Sequence, residues 1–429
     1  MLRSMYSGIS GMRNFQTKLD VIGNNISNVN TSGFKKGRVT FKDLVSQQLS
    51  GASNPTNNRG GTNPIQIGLG VTMATVDTVH TQGSLQTTGR ALDLGVSGDG
   101  FFIVNDGNLS YYTRAGNFYL DRQGTLVTAN GLKVQGYQAN ANGNGINPNE
   151  YGELKIQAGN VIPPKPTTEV SYKGNLNATL PIGATPPERV HIQHKVIDSL
   201  GRLHDLRVQF ERAADGVWNY LVQRFDSSVT PPSSPWVGLN SAVNGTLNFD
   251  TNGALITAGF PDPPEILALS PAELGNNVEP IMIPLSIDMF KGLTQFEGTS
   301  TADVDEINGN FEGFLESFNI SQTGEINGVY TNGDVRILGQ IAMATFNNTG
   351  GLTKSGDNLY QASNNSGIPN IGFAGQGRGV IAGSTLEMSN VDLSEEFTEM
   401  IVAQRGFQAN TRIITTSDEI LQELVNLKR

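Results

Sequence analysis

The sequence predicts a mostly β protein with α-helical ends: two paired terminal helices, coiled-coil-like, and two β-rich domains, the outer one inserted into the inner one. Three observations lead there. Apolar residues recur at helical spacing only near the two ends of the 429-residue chain. The interior alternates short apolar runs with Asn-Gly and Asp-Gly turns, as hairpins do. Charged residues make up only 16% of the chain while glycine reaches 51, a turn-rich balance.

The first helix is read from Leu2 to Val29. Its stripe is Leu2, Met5, Ile9, Met12, Phe15, Leu19, Ile22, Ile26 and Val29, in steps of three or four. Asn24, Asn25, Ser27, Asn28 and Asn30 crowd its end, and Gly33 follows as a left-handed turn residue. Lys35 and Lys36 then sit where cations suit the helix dipole. The last helix begins at a capping box, Asp392 with Glu395. Met400, Phe407, Ile414 and Leu421 recur every seven residues as a seam, widened by Leu393, Phe397, Leu424 and Val425. Gln404, Thr411 and Asp418 are taken as the other seam positions, which leaves one side of the helix polar.

Between the ends, Ala91–Val96 alternates and Phe101–Val104 follows as an apolar run. Residues 71–144 with 313–374 form the first β domain, 145–312 the inserted outer domain, and 31–70 with 375–389 linkers; the terminal helices take 1–30 and 390–429. Pro-rich stretches at 162–166, 181–187 and 230–235 punctuate the outer domain.

Charge gives the ends a reason to pair. Residues 1–49 hold seven Lys or Arg against two Asp, a balance of +5. Residues 390–429 hold four against seven, a balance of −3. Opposite signs favour pairing within or between chains. Apolar burial along one such stripe falls short of the entropy of ordering the segment. The expectation is therefore helices that fray in the isolated chain and order under neighbouring subunits. The alternative is an intramolecular helix hairpin closing a globule.

Several functions drop out. The chain has no cysteine, which removes disulfides, thiolate metal sites and a cysteine nucleophile. A net charge of −10 opposes nucleic-acid binding. No apolar run reaches the length of a membrane span, and the first residues lack a signal-peptide block, so a chain that leaves the cytoplasm does so by a route that keeps its N-terminus. No cofactor, metal or catalytic residue is assigned. His191 and His194 are three residues apart, which on a strand turns them to opposite faces, so both are read as solvent-facing strand residues. Asp303–Gly309 misses calcium-loop spacing and is read as a polar turn. Arg405 and Asn410 are candidates for inter-helix hydrogen bonds, and Gly406 for close helix approach.

The end motifs carry a resemblance. Asn24-Asn25-Ile26-Ser27-Asn28 and Thr31-Ser32-Gly33-Phe34-Lys35 stand at one end. Ser389-Asn390-Val391-Asp392-Leu393-Ser394, Met400–Arg405, Phe407-Gln408-Ala409-Asn410 and Leu424–Arg429 stand at the other. Together with Gly98-Asp99-Gly100-Phe101-Phe102, this resembles the flagellar axial proteins, the family that builds rod, hook and filament junction. The long insertion, with Lys195–Asp205, is similar to its hook members, the rod members being shorter. The resemblance implies a bendable helical tube of identical subunits that transmits torque, with terminal helices innermost and β domains outside. It implies an extracellular location at the flagellum, type III export, and contacts with a rod protein, a hook cap and a hook–filament junction protein. A distal rod protein is the alternative within the family. An extracellular glycan-binding or enzymatic β protein is the alternative outside it.

Overall fold

The computed structural model describes residues 2–55, 59–140, 143–156, 159, 161–183, 187–226, 234–239, 244–256, 265–274 and 278–426. Two compact units emerge. The first is Met1–Ala158, Ser317–Gly328 and Val335–Arg429; the second is Gly159–Glu316 with Val329–Asp334. The second is thus nested within the first along the chain.

In the first unit the N-terminal helix runs Leu2–Ser27 and the C-terminal helix Leu393–Asn426, and they pack side by side. The Asn-rich segment after the first helix forms successive turns: the Asn28 N–H donates to the Asn24 carbonyl and the Thr31 N–H to that of Asn28. Gly33 closes the run at φ +71°, and a Cβ there would lie 2.6 Å from the Ala115 nitrogen. That close approach, not only the left-handed turn, requires glycine.

Residues 31–70, expected as a linker, carry strands. Gly37–Asp43 pairs antiparallel with Val71–Thr78, and Ser46–Ser50 with Ile65–Gly68. The Gly/Asn/Pro composition that suggested a linker belongs to the tip of this long hairpin. Residues 375–389 likewise contain Val380–Gly383, paired with Leu94–Ser97, and Thr385–Glu387, paired with Leu85–Thr87. Strands this short are fixed by distant partners, so local periodicity does not reveal them. The body centres on Val335–Thr345, which pairs with Lys133–Ala139, Phe101–Asn105 and Asn370–Phe373. Phe101, Ile103, Tyr112, Ala342, Ala344, Phe346 and Tyr360 pack as one core.

The strand Ile146–Glu153 pairs with Lys133–Ala139 and belongs to this unit, although the sequence reading ended the first domain at 144. The two strands are joined closely, the Asn140 N–H donating to the Gly145 carbonyl at 2.8 Å.

The second unit has a meander, Arg189–Ile197, Leu203–Ala214 and Val217–Phe225, extended by Trp236–Gly238 and Asn244–Asn248. A second sheet places Val170–Asn177 between Gly292–Phe296, in parallel, and Asp303–Ile307, antiparallel. Their shared core holds Trp218, Tyr172, Phe210 and Phe290, all but fully buried. Asp303–Ile307 is therefore an edge strand and not a turn; its acidic residues face out while Val304 packs inward. His191 and His194 do point to opposite faces, but His194 is buried against Tyr172, ring centroids 5.6 Å apart. Burial pulls its pKa down to about 4. The Pro-rich loop at 230–235 lies largely outside the described residues, as do 184–186 of the loop at 181–187 and 427–429 of the last motif.

Candidate assembly interface

The contact between the terminal helices is built on glycine. A Cβ on Gly11 would lie 2.7 Å from Asn410 Oδ1, and one on Gly406 would lie 2.5 Å from the Phe15 ring. One on Gly8 would sit 3.3 Å from Ile414. Gly406 thus marks close helix approach and its cost in helix propensity has a structural return. Phe15 fills the space opened by Gly406 and meets Phe41 of the adjoining hairpin edge-on at 6.0 Å. Asn14 donates from Nδ2 to the Val71 carbonyl at 2.9 Å. The first helix is thereby held between the last helix and a β-hairpin.

Met5, Ile9, Met12, Phe15, Leu19 and Ile26 are half-buried and Ile22 is fully buried. On the last helix, Met400, Phe407, Asn410, Ile414 and Leu421 are half-buried, and Ala403, Glu396 and Ser417 complete the contact line. Gln404, Thr411 and Asp418, expected in the seam, are exposed. The seam takes the residue three places after each heptad position, because a small side chain there (Ala403, Asn410, Ser417) lets the helices close in. Phe397 and Arg405 are also exposed, and the Leu424 side chain lies outside the described residues. Arg405 bonds within its own helix, to Gln408, and Asn410 Nδ2 donates to the Gly406 carbonyl. Neither therefore makes the inter-helix hydrogen bond expected of it, although Asn410 forms the wall against Gly11.

Charge complementarity is realised as ion pairs. Lys18 meets Glu399 at 3.0 Å and Lys36 meets Glu395 at 2.7 Å. Glu395 thus faces Lys36 rather than closing a capping box, while Asp392 Oδ1 accepts the Ser394 N–H at 2.8 Å as the cap. Asn25 is the buried polar hub. Its Nδ2 donates to the Gly37 carbonyl and to Glu396 Oε2, and its Oδ1 accepts the Gly37 N–H. Burial pushes the Glu396 carboxyl up, with the Asn25 hydrogen bond opposing. Asn24 is exposed, and Asn28 accepts from Thr31.

Below the helices lies a joint that the sequence reading missed. Lys35, placed there as a helix-end cation, has no exposed side-chain surface and pairs with equally buried Glu387 at 2.6 Å. Its Nζ also donates to the Thr81 carbonyl. Glu387 accepts the Gly83 N–H at 3.0 Å and meets Arg114 at 3.3 Å, while its backbone carbonyl accepts from Gly33. Phe34 packs beside it under Lys354 Nζ, 5.2 Å from the ring centroid. Desolvation lowers the Lys35 pKa against the pull of Glu387. The available sequence signals were single charges inside β-like runs, Arg114 after Tyr112-Thr113 and Glu387 after Leu386.

Both flanks of the contact line on the last helix stay bare. Phe397 and Ile401 lie on one side of it and Val402, Ile413 and Ile420 on the other, all exposed, Ile401 by 59%. The hairpin separately exposes Val45, Leu49, Ile65 and Ile67. Apolar exposure of this extent marks an interaction surface. Among the described residues, no group of three or more His, Asp or Glu is placed to hold a metal ion, and no helix is long and apolar enough to cross a membrane.

Comparisons with known proteins agree along the chain. Residues 5–35 match a model described as flagella basal body rod protein, and 95–176 one for the flagellar hook protein FlgE/F/G D1 domain. Residues 175–310 match the flagellar basal body protein FlaE D2 domain, and 382–427 the flagellar basal body rod FlgEFG protein C-terminal. The flagellar hook protein FlgE of Borreliella burgdorferi is 43% identical over the whole of both chains, and that of Treponema pallidum 41%. The flagellar basal-body rod protein FlgG of Bacillus subtilis, 36% identical, also aligns over the whole of both chains. A crystal structure of a Helicobacter pylori flagellar hook protein superimposes with a TM-score of 0.50 over 71% of this chain and all of that one. At 15% identity that likeness shows the fold.

Proposed function

Since this chain belongs to the flagellar hook protein family, we propose that its terminal helices are the surface through which copies join into the hook. The chain is a structural, self-assembling subunit of the extracellular hook and not an enzyme. The observation that carries the proposal is the division of the last helix into a covered stripe and bare flanks. The stripe is closed against the first helix over glycine; the flanks present Phe397 and Ile401 on one side and Val402, Ile413 and Ile420 on the other to water. Neighbouring copies cover the flanks, and contacts that do not close on themselves extend into a helical polymer. Phe397, Gln404 and Arg405 then act between copies, and Met400, Phe407, Ile414 and Leu421 within each.

The terminal segments form the inner tube, and the nested β unit lies outside, where relative sliding lets the tube bend. A rod protein below, a cap during growth, a junction protein above and the type III export apparatus are the further partners. The domain division proposed with this reading is terminal helices, inner β domain and nested outer β domain, with the first boundary after residue 158.

Ile401→Asp tests the helix surface. Its side chain is exposed, so the purified variant keeps the melting profile of the parent while electron microscopy shows loss of tubes under polymerising conditions. Normal tubes from that variant overturn the assignment. A second reading, a distal rod subunit, is favoured by the end-to-end match to the Bacillus subtilis rod protein. That match also weakens the expectation that an insertion separates hook from rod members. Straight, stiff polymers from the wild-type chain would select the rod reading and curved ones the hook.

A further inference from the structure

His80 stands at the joint where both ends of the chain enter the body, with its imidazole among aromatic rings. It meets Phe101 at 5.8 Å and Tyr360 at 5.4 Å between centroids. It shares a cavity of about 320 Å³ with Arg114, Phe346 and Asp99, the last exposed at the mouth. Three segments packed around it contribute charge. Lys35 comes from the segment after the first helix, Arg114 from the loop beyond Tyr112, and Lys354 from the strand beside Tyr360. Lys354 Nζ donates to the Lys35 carbonyl, and the Arg114 guanidinium lies 5.2 Å from the Phe101 ring. Against these three cations the buried side holds one carboxylate, Glu387, already shared by Lys35 and Arg114.

We propose that this cluster is an acid-release latch: a proton on His80 adds a fourth positive charge around the single Glu387 carboxylate, and the joint opens, freeing the roots of both terminal helices. Lys35 precedes the hairpin that clasps the first helix, and Glu387 lies six residues before the last helix begins at Leu393. Parting this pair uncouples both helices from the body without disturbing the β core behind Phe101.

The direction follows from linkage. Burial first, then the charges of Lys35, Arg114 and Lys354, hold the His80 pKa down at about 4 against an ordinary 6.5. The open joint, where the ring is hydrated, binds the proton more tightly than the closed one. Closure is therefore unimpaired above pH 6.5 and loses ground as pH falls toward 4, by up to about 300-fold for the full shift. Tyr360, raised to about 12 by burial, stays neutral throughout and adds no charge of its own. The latch belongs to the single chain and does not depend on how copies assemble.

Hydrogen exchange of the purified full-length chain between pH 7 and 4.5, corrected for intrinsic rates, reads the latch directly. Peptides covering 31–38, 79–88 and 384–391 report the joint, and those covering 101–105 and 335–345 the core. The wild type opens its joint up to about 40-fold more at pH 4.5 than at 6.5 while the core stays protected. His80→Phe, which keeps an aromatic ring between Phe101 and Tyr360, and His80→Gln, which keeps polarity without the titration, hold the joint closed across the range. Two variants guard against one failing to fold. Equal acid opening in the variants, no acid opening in the wild type, or exchange that rises equally in joint and core would each overturn the latch.

Discussion

The outer unit and the terminal helices solve the problem of burial in opposite ways. The outer unit gathers Trp218, Tyr172, Phe210, Phe290 and many aliphatic residues into one closed core between two sheets. The helices bury little: Ile22 and Ala403 are sealed, most of the stripe is half-covered, and seven large apolar side chains of the last helix face water. The first arrangement completes itself within one chain. Under the proposed assembly, the second is half of a contact whose other half is another copy. Stability and assembly are therefore encoded in separate parts of the sequence, and substitutions separate them.

The largest separation comes from Trp218→Ala. Removing this fully buried indole costs the outer unit about 3–5 kcal/mol, read as a drop in its calorimetric transition, with the helix contact unchanged. A drop shared equally by both units would show that they are not independent. Acid sharpens the same contrast. His194, held near 4 by burial, contributes stability to the outer unit that is full above pH 6.5 and lost as pH falls toward 4, about 3 kcal/mol over the whole shift. His194→Gln flattens that dependence in urea titrations at successive pH values. In the other direction, Gly406→Val drives a side chain into the Phe15 ring and overpacks the helix pair by about 1–3 kcal/mol. Tubes are lost while the outer unit melts as before. The smallest effect is Lys18→Ala. It removes a partly exposed pair with Glu399 and shifts stability by less than about 1 kcal/mol, within what salt alone does.

What the sequence made legible follows the same division. Helical stripes, the turn at Gly33 and opposite charge at the two ends are all local patterns, and local patterns are what periodicity reports. The helix pairing was foreseen from Met400, Phe407 and Ile414, but its spacing was not, because glycine and alanine signal nothing about what lies across from them. The edge strand at Asp303–Ile307 looked like a turn because its charges face water and only Val304 and Ile307 hint at a buried side. The joint was invisible for a different reason. Lys35, Arg114 and Glu387 are ordinary charged residues until the fold removes water from all three at once, and no spacing rule connects positions so far apart.

The same distance sets an order of events. Lys35 and Glu387 lie 352 positions apart, and Asn25 and Glu396 lie 371 apart. A loop of that length closes only when both of its ends are free to meet. The outer meander, whose strands follow one another between Arg189 and Phe225, has no such wait. In a chain that emerges from one end to the other, the β interior can fold while the joint remains open. The first residues acquire their partners only as the last ones arrive, so the surface that joins copies is the final part of the molecule to mature.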